Sequence, residues 1–262
     1  RALRAIVRGG TLGRLRMLHT WCYTDWLYRP RTPEELDTAR GGGATFRQGA
    51  HQVDVLRWIG GGLMRSVRAA TGLWDPERPT EGSHVLFLDF ADGTAATAVF
   101  SGYDHFRTAE LNFDIGEDGR PVAREDHARA RSALQAAAGP GGEAALKRSL
   151  GYGGPRRIAP AAQPYPSFYG LTIVSCDRGD VRQISEGLRV YGDTRQWDVP
   201  VPPQPTGRDV LLDEAYATVA HDIPPPHDGR WGKANLEVCL AALESARTRR
   251  EIELCHQIPT LD

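Results

Sequence analysis

The chain has 262 residues, of which 40% are hydrophobic and 25% charged, a composition that is ordinary for a globular protein. Its formal net charge of -1 at pH 7 gives no surface built for nucleic acid or anionic lipid, so we expect neither a nucleic-acid partner nor a membrane. No apolar run approaches the roughly 20 residues of a membrane helix, and four cysteines without ligand-like spacing predict reduced thiols in a cytoplasmic protein.

The first forty residues predict a helix end, a strand and a second helix. Residues 1–8 have the pattern of the end of a helix, and the first residue is an arginine, so we expect the chain to begin inside a longer gene product. Residues 15–23 alternate in polarity, as a strand does. Thr32, Pro33 and the glutamate at position 35 form a capping box, which predicts a short helix that ends at the glycine triplet 41–43.

The middle of the chain predicts one helix and then mainly strands. Apolar residues recur at helical spacing over residues 48–59, and glycines 60–62 stop the run. Asp92-Gly93 is a strong hairpin signal between two strands. The predicted strands are residues 67–73, 85–90, 94–100, 109–115, 171–175, 181–184, 188–191 and 196–199. This order predicts an α+β fold, with an open, mostly antiparallel sheet and helices on one face.

The remaining segments predict an excursion and two helices. Residues 120–166 are rich in Ala, Gly, Pro and Arg, so we expect a poorly ordered excursion that is partly helical over residues 125–138. After a proline-rich connector at 200–206, helices are expected at 210–219 and at 230–247, the second capped by Asp228. We treat residues 1–262 as one substrate-binding and oligomerisation domain.

No segment of the sequence has the features of a dinucleotide-binding loop. Such a loop needs glycines between a strand and a helix, where backbone N–H groups hold the pyrophosphate. Residues 139–144 have a fitting glycine spacing, but they follow an Ala-rich helical stretch and lack a later acidic partner, so we interpret them as a chance match. The sequence therefore predicts no cofactor-binding residues of its own, and it predicts no metal site.

Around His51, helical spacing places several side chains on one face. Arg47, His51, Val55 and Trp58 are separated by three or four residues, and Gly49 allows a close backbone approach beside the histidine. Histidine titrates near neutral pH, which suits a general acid or base. From spacing alone, a buried, hydrogen-bonded core histidine is the somewhat better interpretation.

A second cluster precedes this helix, at residues 19–31. It contains four aromatic residues and two arginines just after a strand. Arginine binds carboxylates in two-point fashion, and aromatic faces stack on rings, so the segment could line a pocket for a flat anion. A loop packed under the final helix explains the same composition equally well.

These residues together resemble the Gfo/Idh/MocA family of oxidoreductases. Residues 41–54 read GGGATFRQGAHQVD, which is similar to a family segment in which a glycine-rich turn leads into a helix with a catalytic histidine. The later hairpin and the last helix also match. The resemblance implies the C-terminal domain of a two-domain dehydrogenase whose Rossmann domain is absent here. It also implies NAD or NADP bound mainly by that missing domain, and a homo-oligomer formed through the sheet.

The resemblance departs from the family at Arg47, because many members carry an aspartate four residues before the histidine. Arginine cannot accept a proton there, but it can hold a carboxylate. Within the family, the chain is most similar to the cis-dihydrodiol dehydrogenases of phthalate breakdown, in residues 23–31, 46–51 and 227–232. This resemblance implies a small anionic aromatic substrate. On this basis His51 is predicted to be catalytic. The predicted substrate-binding residues are Tyr23, Trp26, Tyr28, Arg29, Arg31, Arg47 and Gln48.

Two other functions stay open from the sequence. One is a sugar or inositol dehydrogenase of the same family with an atypical site. The other is a non-catalytic, oligomeric ligand-binding module.

Overall fold

The computed structural model describes residues 1–151, 153–155, 163–203 and 207–261, without the side chains of 207–209. Its helices are α1 (Ala2–Arg8), α2 (Ala44–Arg47), α3 (Gly49–Gly60), α4 (Arg129–Ala136), α5 (Gly142–Leu150), α6 (Gly207–His221) and α7 (Gly229–Thr248). Its strands are β1 (Leu15–Tyr23), β2 (Met64–Gly72), β3 (Ser83–Phe90), β4 (Ala95–Ser101), β5 (Leu171–Cys176), β6 (Gly179–Ile184), β7 (Gly187–Gly192), β8 (Gln196–Pro200) and β9 (Ile252–Glu253).

The nine strands form one open sheet in the order β8-β7-β6-β5-β1-β4-β3-β2-β9. All neighbouring strands are antiparallel except β1 and β4, which run parallel at the centre of the sheet. The parallel pair arises because α2, α3 and a hairpin separate β1 from β4 in the chain. The predicted α+β fold with an open, mostly antiparallel sheet is therefore confirmed.

Helices α3 and α7 cover one face of this sheet and form the core with it. Leu18, Leu86 and Leu88 point from the strands towards the helices and are completely buried, as are Val53 and Leu56 on α3. The side chains that alternate with them face away from the helices, and they include large apolar residues that are exposed: Met17, Trp21, Val85 and Phe87. One face of the sheet therefore carries the core while the other remains open.

A buried histidine in this core predicts a pH-dependent stability. His84 on β3 stacks on Phe100 and hydrogen-bonds Gln52 through Nε2 at 2.9 Å. Burial lowers the pKa of His84 to about 3. In the unfolded chain the His84 imidazole binds a proton near pH 6.5, whereas in the folded chain it stays neutral. The contribution of His84 to the free energy of unfolding is therefore fully present above pH 6.5, and it falls by about 1.4 kcal/mol per pH unit as the pH drops towards 3.

A His84→Gln variant should consequently lose less stability on acidification than the parent protein. Urea unfolding between pH 7.5 and pH 4.5 measures both slopes, and carboxylates that titrate in this range contribute equally to the two proteins. The two curves should converge as the pH falls; parallel curves would show that His84 is protonated inside the fold.

The hairpin prediction is confirmed, whereas one predicted strand is wrong. Gly93 adopts a φ of 86° in the turn between β3 and β4, as the Asp92-Gly93 signal requires. Residues 109–115 do not form a strand, because 108–112 turn into a 3-10 helix and Phe113 and Asp114 adopt positive φ values. Both edges of β1 are already paired, with β4 and β5, so no edge of that strand remains for residues 109–115.

The helix predicted at Thr32 is only a 3-10 turn. The capping box is present, with the Glu35 side chain accepting from the Thr32 amide at 2.7 Å. Asp37 then adopts an extended conformation, which ends the turn, and a second 3-10 turn at 38–40 leads to Gly41. The start of the helix was predicted correctly, but the extended backbone at Asp37 ends the turn before an α-helix forms.

The excursion at 120–166 contains two α-helices in its described part. The helix predicted at 125–138 corresponds to α4 and a preceding 3-10 turn, while α5 had no counterpart in the prediction. Residues 152 and 156–162 lie outside the described residues, so the expected poor order of the segment stays a prediction.

Both C-terminal helices are found where the sequence places them. The Asp228 side chain accepts a hydrogen bond from the Trp231 amide at 2.9 Å, which confirms the predicted cap of α7. The connector predicted at 200–206 is described only up to residue 203. In the part of the chain that the structure describes, none of the helices is both long and apolar enough to cross a membrane.

Candidate active site

The glycine triplet before α2 is held by a buried glutamate. Glu81 accepts hydrogen bonds from the Thr45 amide at 3.1 Å and from the Thr38 hydroxyl, so its carboxylate lies at the start of α2. Gly43 has a φ of 85°, and a Cβ there would lie 2.0 Å from Oε1 of Glu81. A Cβ on Gly42 would meet three backbone carbonyls within 2.7 Å. The turn therefore needs glycine for close approach as well as for conformation.

Replacing Gly43 with alanine should lower the free energy of unfolding by about 2–4 kcal/mol, because the methyl group adds a clash with Glu81 to the strain of a positive φ. Gly61→Ala is the matched control, since Gly61 has a φ of 87° and no atom within 4 Å of a Cβ. The control should lose only about 1 kcal/mol. Equal losses in urea unfolding would mean that contact with Glu81 does not constrain the turn.

The inner side of α3 is anchored by polar contacts. Gln52 donates to the carbonyl oxygens of Thr20 at 3.3 Å and of Val99 at 3.1 Å, which ties α3 to β1 and β4. Asp54 accepts from Trp231 Nε1 and from Asn235 Nδ2, at 2.5 and 2.7 Å, which ties it to α7. These contacts fix the rotation of α3 about its axis. Asp54, three residues after His51, therefore has a structural role.

This rotation turns His51 outward. Its side chain is exposed, and its ring contacts Tyr169 at a centroid distance of 5.2 Å. The Tyr169 hydroxyl in turn donates to Oε1 of Gln48 at 2.8 Å, so residues 48 and 169 together border the histidine. The interpretation of His51 as a buried core residue is therefore wrong, and its imidazole is accessible for proton transfer.

Beyond His51, the same helix face borders an apolar cavity of about 400 Å³. Val55 and Trp58, which the spacing placed on one face with His51, both line it, and Tyr169 and His227 close its other sides. The ring of His227 packs against Trp58 at 4.9 Å. This volume is within the range of small-ligand pockets, about 300–1,000 Å³.

On the other side of His51, Arg47 points into solvent beside an acidic residue. Its side chain is 39% exposed, and Nη1 lies 3.7 Å from Oε1 of Glu35. Among the described residues, the Arg47 side chain donates no hydrogen bond within 3.5 Å. Its planar N–H groups therefore remain available to a carboxylate.

The aromatic and arginine cluster at 19–31 divides into two parts. Tyr23 and Arg29 line a second cavity, of about 360 Å³ and more polar, with Glu117 and Phe168. Phe168 lines both this cavity and the apolar one. In the more polar cavity, Arg29 already pairs with Asp25 at 2.7 Å.

Trp26, Tyr28 and Arg31 do not join a ligand cavity next to His51. Trp26 and Tyr28 are buried in a packed cluster with Leu27, Phe100 and Tyr103. The Tyr28 hydroxyl donates to Asp75 at 2.7 Å, and the Arg31 guanidinium stacks on Trp26 and donates to its carbonyl oxygen at 2.7 Å. Packing in the fold explains these three side chains better than the predicted contact with a ligand does.

Tyr169 and His227 are site residues that the sequence analysis missed. His227 opens the segment 227–232, which contributed to the family resemblance, so that signal was available. Tyr169 follows the excursion, where no motif marks it. Burial raises the pKa of the Tyr169 hydroxyl, as do the nearby Cys22 and Glu117, so it remains a neutral donor to Gln48.

In the described part of the chain, the cysteines form no disulfide, and the cysteines and acidic residues form no metal site. All four cysteines are unpaired, and burial raises the pKa of Cys22, whose thiol lies 3.3 Å from Glu117. Over the described ranges, no group of three or more His, Cys, Asp or Glu side chains is placed to hold a metal ion. Gly139 and Gly141 lie between α4 and α5, and Gly142 begins α5, so this glycine run follows a helix and not a strand, as the sequence predicts.

Comparison with known proteins connects this geometry to a family. Residues 1–120 match the GFO/IDH/MocA C-terminal domain. Over 249 residues, 93% of this chain and 62% of the relative, the sequence is 32% identical to 1-carboxy-3-chloro-3,4-dihydroxycyclohexa-1,5-diene dehydrogenase from Comamonas testosteroni. By this match, residues 1–120 of the chain are a Gfo/Idh/MocA C-terminal domain. The resemblance of residues 41–54 to this family is thereby confirmed, whereas the catalytic role of His51 stays a prediction.

Solved structures of dehydrogenases share the fold. A candidate dehydrogenase from Bordetella bronchiseptica RB50 is 42% identical, with a TM-score of 0.87 over 96% of this chain and 65% of that one. The WlbA dehydrogenase from Bordetella pertussis, in complex with NADH and UDP-GlcNAcA, is 18% identical, with a TM-score of 0.56 over 97% and 59%. The chain thus spans less than two thirds of these proteins.

Proposed function

We propose that this chain is the substrate-binding and proton-transfer part of an NAD(P)-dependent dehydrogenase. The observation that supports this most directly is the exposed His51, with Arg47 on one side and the apolar cavity of Val55 and Trp58 on the other. A small ring could lie along the helix with a hydroxyl at the imidazole and a carboxylate at the guanidinium.

In this proposal the chain's own contribution is a proton acceptor. His51 accepts the proton of a ring hydroxyl while the hydrogen on the same carbon leaves as hydride, which turns the C–OH group into a ketone that enolises to the aromatic diol. A bound nicotinamide cofactor supplies the hydride acceptor. The described residues contain no dinucleotide loop, so they do not fit this cofactor by themselves, and we expect the chain alone to be inactive.

We further propose that the substrate is an aromatic cis-dihydrodiol with ring carboxylates, as in phthalate breakdown. Arg47 supports an anionic substrate because arginine cannot accept a proton at this position but can hold a carboxylate. The name of the Comamonas relative supports a carboxylated diol ring, although it specifies a single carboxy group and a chlorine. The finer choice of a dicarboxylate rests on the resemblance within the family.

Turnover by the full-length gene product tests this substrate class. Phthalate dihydrodiol, benzoate dihydrodiol, a sugar panel and inositol should be compared at equal concentration with NAD and with NADP. We expect the highest kcat/KM with the dicarboxylated diol. A preference for a sugar or inositol would support the other family activity, and absence of nicotinamide binding in calorimetry would support a non-catalytic ligand-binding module.

The open face of the sheet supports a second proposal, that two copies of the chain associate through it. Met17, Trp21, Val85 and Phe87 are large apolar side chains on this face, and all four are exposed in the single chain. Sedimentation should show a dimer or a higher oligomer that Trp21→Glu and Phe87→Glu dissociate. Leu240→Glu on α7, an exposed apolar position on the helix-covered side of the sheet, is the control; a monomeric parent protein would disprove the association.

A further inference from the structure

A cluster of three basic side chains surrounds the carboxylate of Glu35, and one of them is Arg47, four residues before His51 in the chain. Oε1 of Glu35 lies 3.5 Å from Nη1 of Arg31 and 3.7 Å from Nη1 of Arg47. Its other oxygen, Oε2, accepts from Lys147 Nζ and from the Thr32 amide. Three positive charges therefore share one negative charge, and the cluster has an excess of two positive charges.

The four groups lie at two depths. The side chains of Arg31 and Glu35 are only 12% and 13% exposed, whereas those of Arg47 and Lys147 are 39% and 36% exposed. Arg31 uses its inner position to donate to the Trp26 carbonyl oxygen. The excess positive charge therefore reaches solvent through Arg47 and Lys147.

Glu35 stays ionised between these groups. Burial alone would raise its pKa, but the hydrogen bonds from Lys147 and from the Thr32 amide, with the nearby charges of Lys147 and Arg31, lower it to about 2. A fixed carboxylate behind the two outer groups holds them in place without neutralising both of them.

Lys147 is brought to this cluster by α5, whose other anchor lies one turn earlier. Glu143 pairs with Arg78 at 2.9 Å and accepts from the Arg31 amide at 2.7 Å. Arg78 is buried and also donates to the Leu27 carbonyl oxygen at 2.8 Å. Glu143 and Lys147 are four residues apart, so two ion pairs fix the same face of α5 against the turns around Glu35.

We propose that Lys147 and Arg47 together bind one carboxylate group of an anionic aromatic ligand, so that Lys147 is a specificity-determining residue. This inference rests on the proposed function, which it deepens, and it gives the excursion at 120–166 a role in substrate recognition. The carboxylate takes the outward donors of Arg47 and the free ammonium donor of Lys147, while Glu35 remains behind them.

The chain offers a simple test, because Lys147 and Lys233 are its only lysines. Calorimetry with phthalate as the probe should give a dissociation constant that rises about tenfold or more in Lys147→Gln and in Arg47→Gln. Lys147→Arg should keep most of the affinity, which excludes a general loss of α5. Lys233→Gln on α7, which removes an exposed charge elsewhere, should change the constant less than about twofold.

Chemical labelling supplies a second measurement on the unmutated protein. Phthalate should protect Lys147, but not the exposed Lys233, from acetylation, as followed by mass spectrometry of the peptides. Equal protection of both lysines would overturn the inference. So would unchanged affinity in Lys147→Gln, or absence of saturable phthalate binding at about 10 mM.

The inference and the proposed function can fail separately. If phthalate binding depends on Lys147 while the full-length gene product oxidises no dihydrodiol, the proposed carboxylate site is supported and the proposed reaction is disproved. If the dihydrodiol is oxidised with the same KM by Lys147→Gln and by the parent protein, the reaction stands and the role of Lys147 is wrong.

Discussion

Replacing His51 with alanine in the full-length gene product is expected to lower kcat by about 10²–10⁴-fold, the usual contribution of a positioned general base. The reason is geometric, because the imidazole is exposed and its ring contacts Tyr169, which lines the apolar cavity. KM should change little, since the proposed carboxylate contacts belong to other side chains. Steady-state kinetics with the dihydrodiol measure both values.

The exposure of His51 provides an additional readout. Added imidazole should restore part of the activity of the alanine variant, because a small base can enter the space that the side chain leaves. A purely structural role would not give such rescue. His256→Ala, which removes another exposed histidine, should keep full activity. Loss of activity in that control, or an unchanged kcat in the His51 variant, would remove the proposed role.

The family segment shows how far local sequence could predict the site. Helical spacing correctly placed His51, Val55 and Trp58 on one face, because that relation depends on residues within one helix. It could not give the exposure of His51. The rotation of α3 is set by Trp231 and Asn235, which lie about 180 residues away in the chain, with separations of 177 and 181 from Asp54.

The same limit explains the residues predicted between Tyr23 and Arg31. Aromatic and arginine side chains are equally suited to a ligand pocket and to a packed loop, so composition could not separate the two. The outcome depends on distant partners. Asp75 accepts a hydrogen bond from the Tyr28 hydroxyl, and Arg131 of the excursion lies over the Tyr28 ring, at 3.5 Å from its centroid.

Within the fold, the strands with local signals were predicted and the pairing order was not. The hairpin at Asp92-Gly93 and the alternation in β1 are local properties, and both are found. The parallel pairing of β1 with β4 brings Trp21 opposite Val99, a choice that no short segment encodes. The strand prediction for 109–115 was wrong for the same reason, since both edges of β1 are already paired, with β4 and β5.

Replacing Arg57 with alanine should cause the largest loss of stability, about 3–5 kcal/mol. Arg57 is completely buried on α3, and it donates to Asn235 Oδ1 at 2.6 Å and to Gln257 Oε1 at 2.9 Å. Burial lowers the pKa of Arg57 to about 10, while the charges of Asp54 and Glu237 act in the opposite direction, so the side chain stays charged at neutral pH. Alanine would leave these buried acceptors unpaired around a cavity.

The Arg57 variant also tests whether the orientation of the candidate site depends on the junction of α3, α7 and the C-terminal segment. The same guanidinium donates to the carbonyl oxygens of Trp231 at 3.2 Å and Ile258 at 3.3 Å, so its loss loosens all three elements. Arg65→Ala, which removes an arginine that is 63% exposed beside Asp89, should cost no more than about 0.5 kcal/mol. Urea unfolding compares the two variants, and a similar small loss in both would mean that water replaces the guanidinium without strain. A large loss together with weaker phthalate binding would show that the junction positions α3 for the ligand, because Arg57 itself lies on the inner side of the helix and cannot touch it.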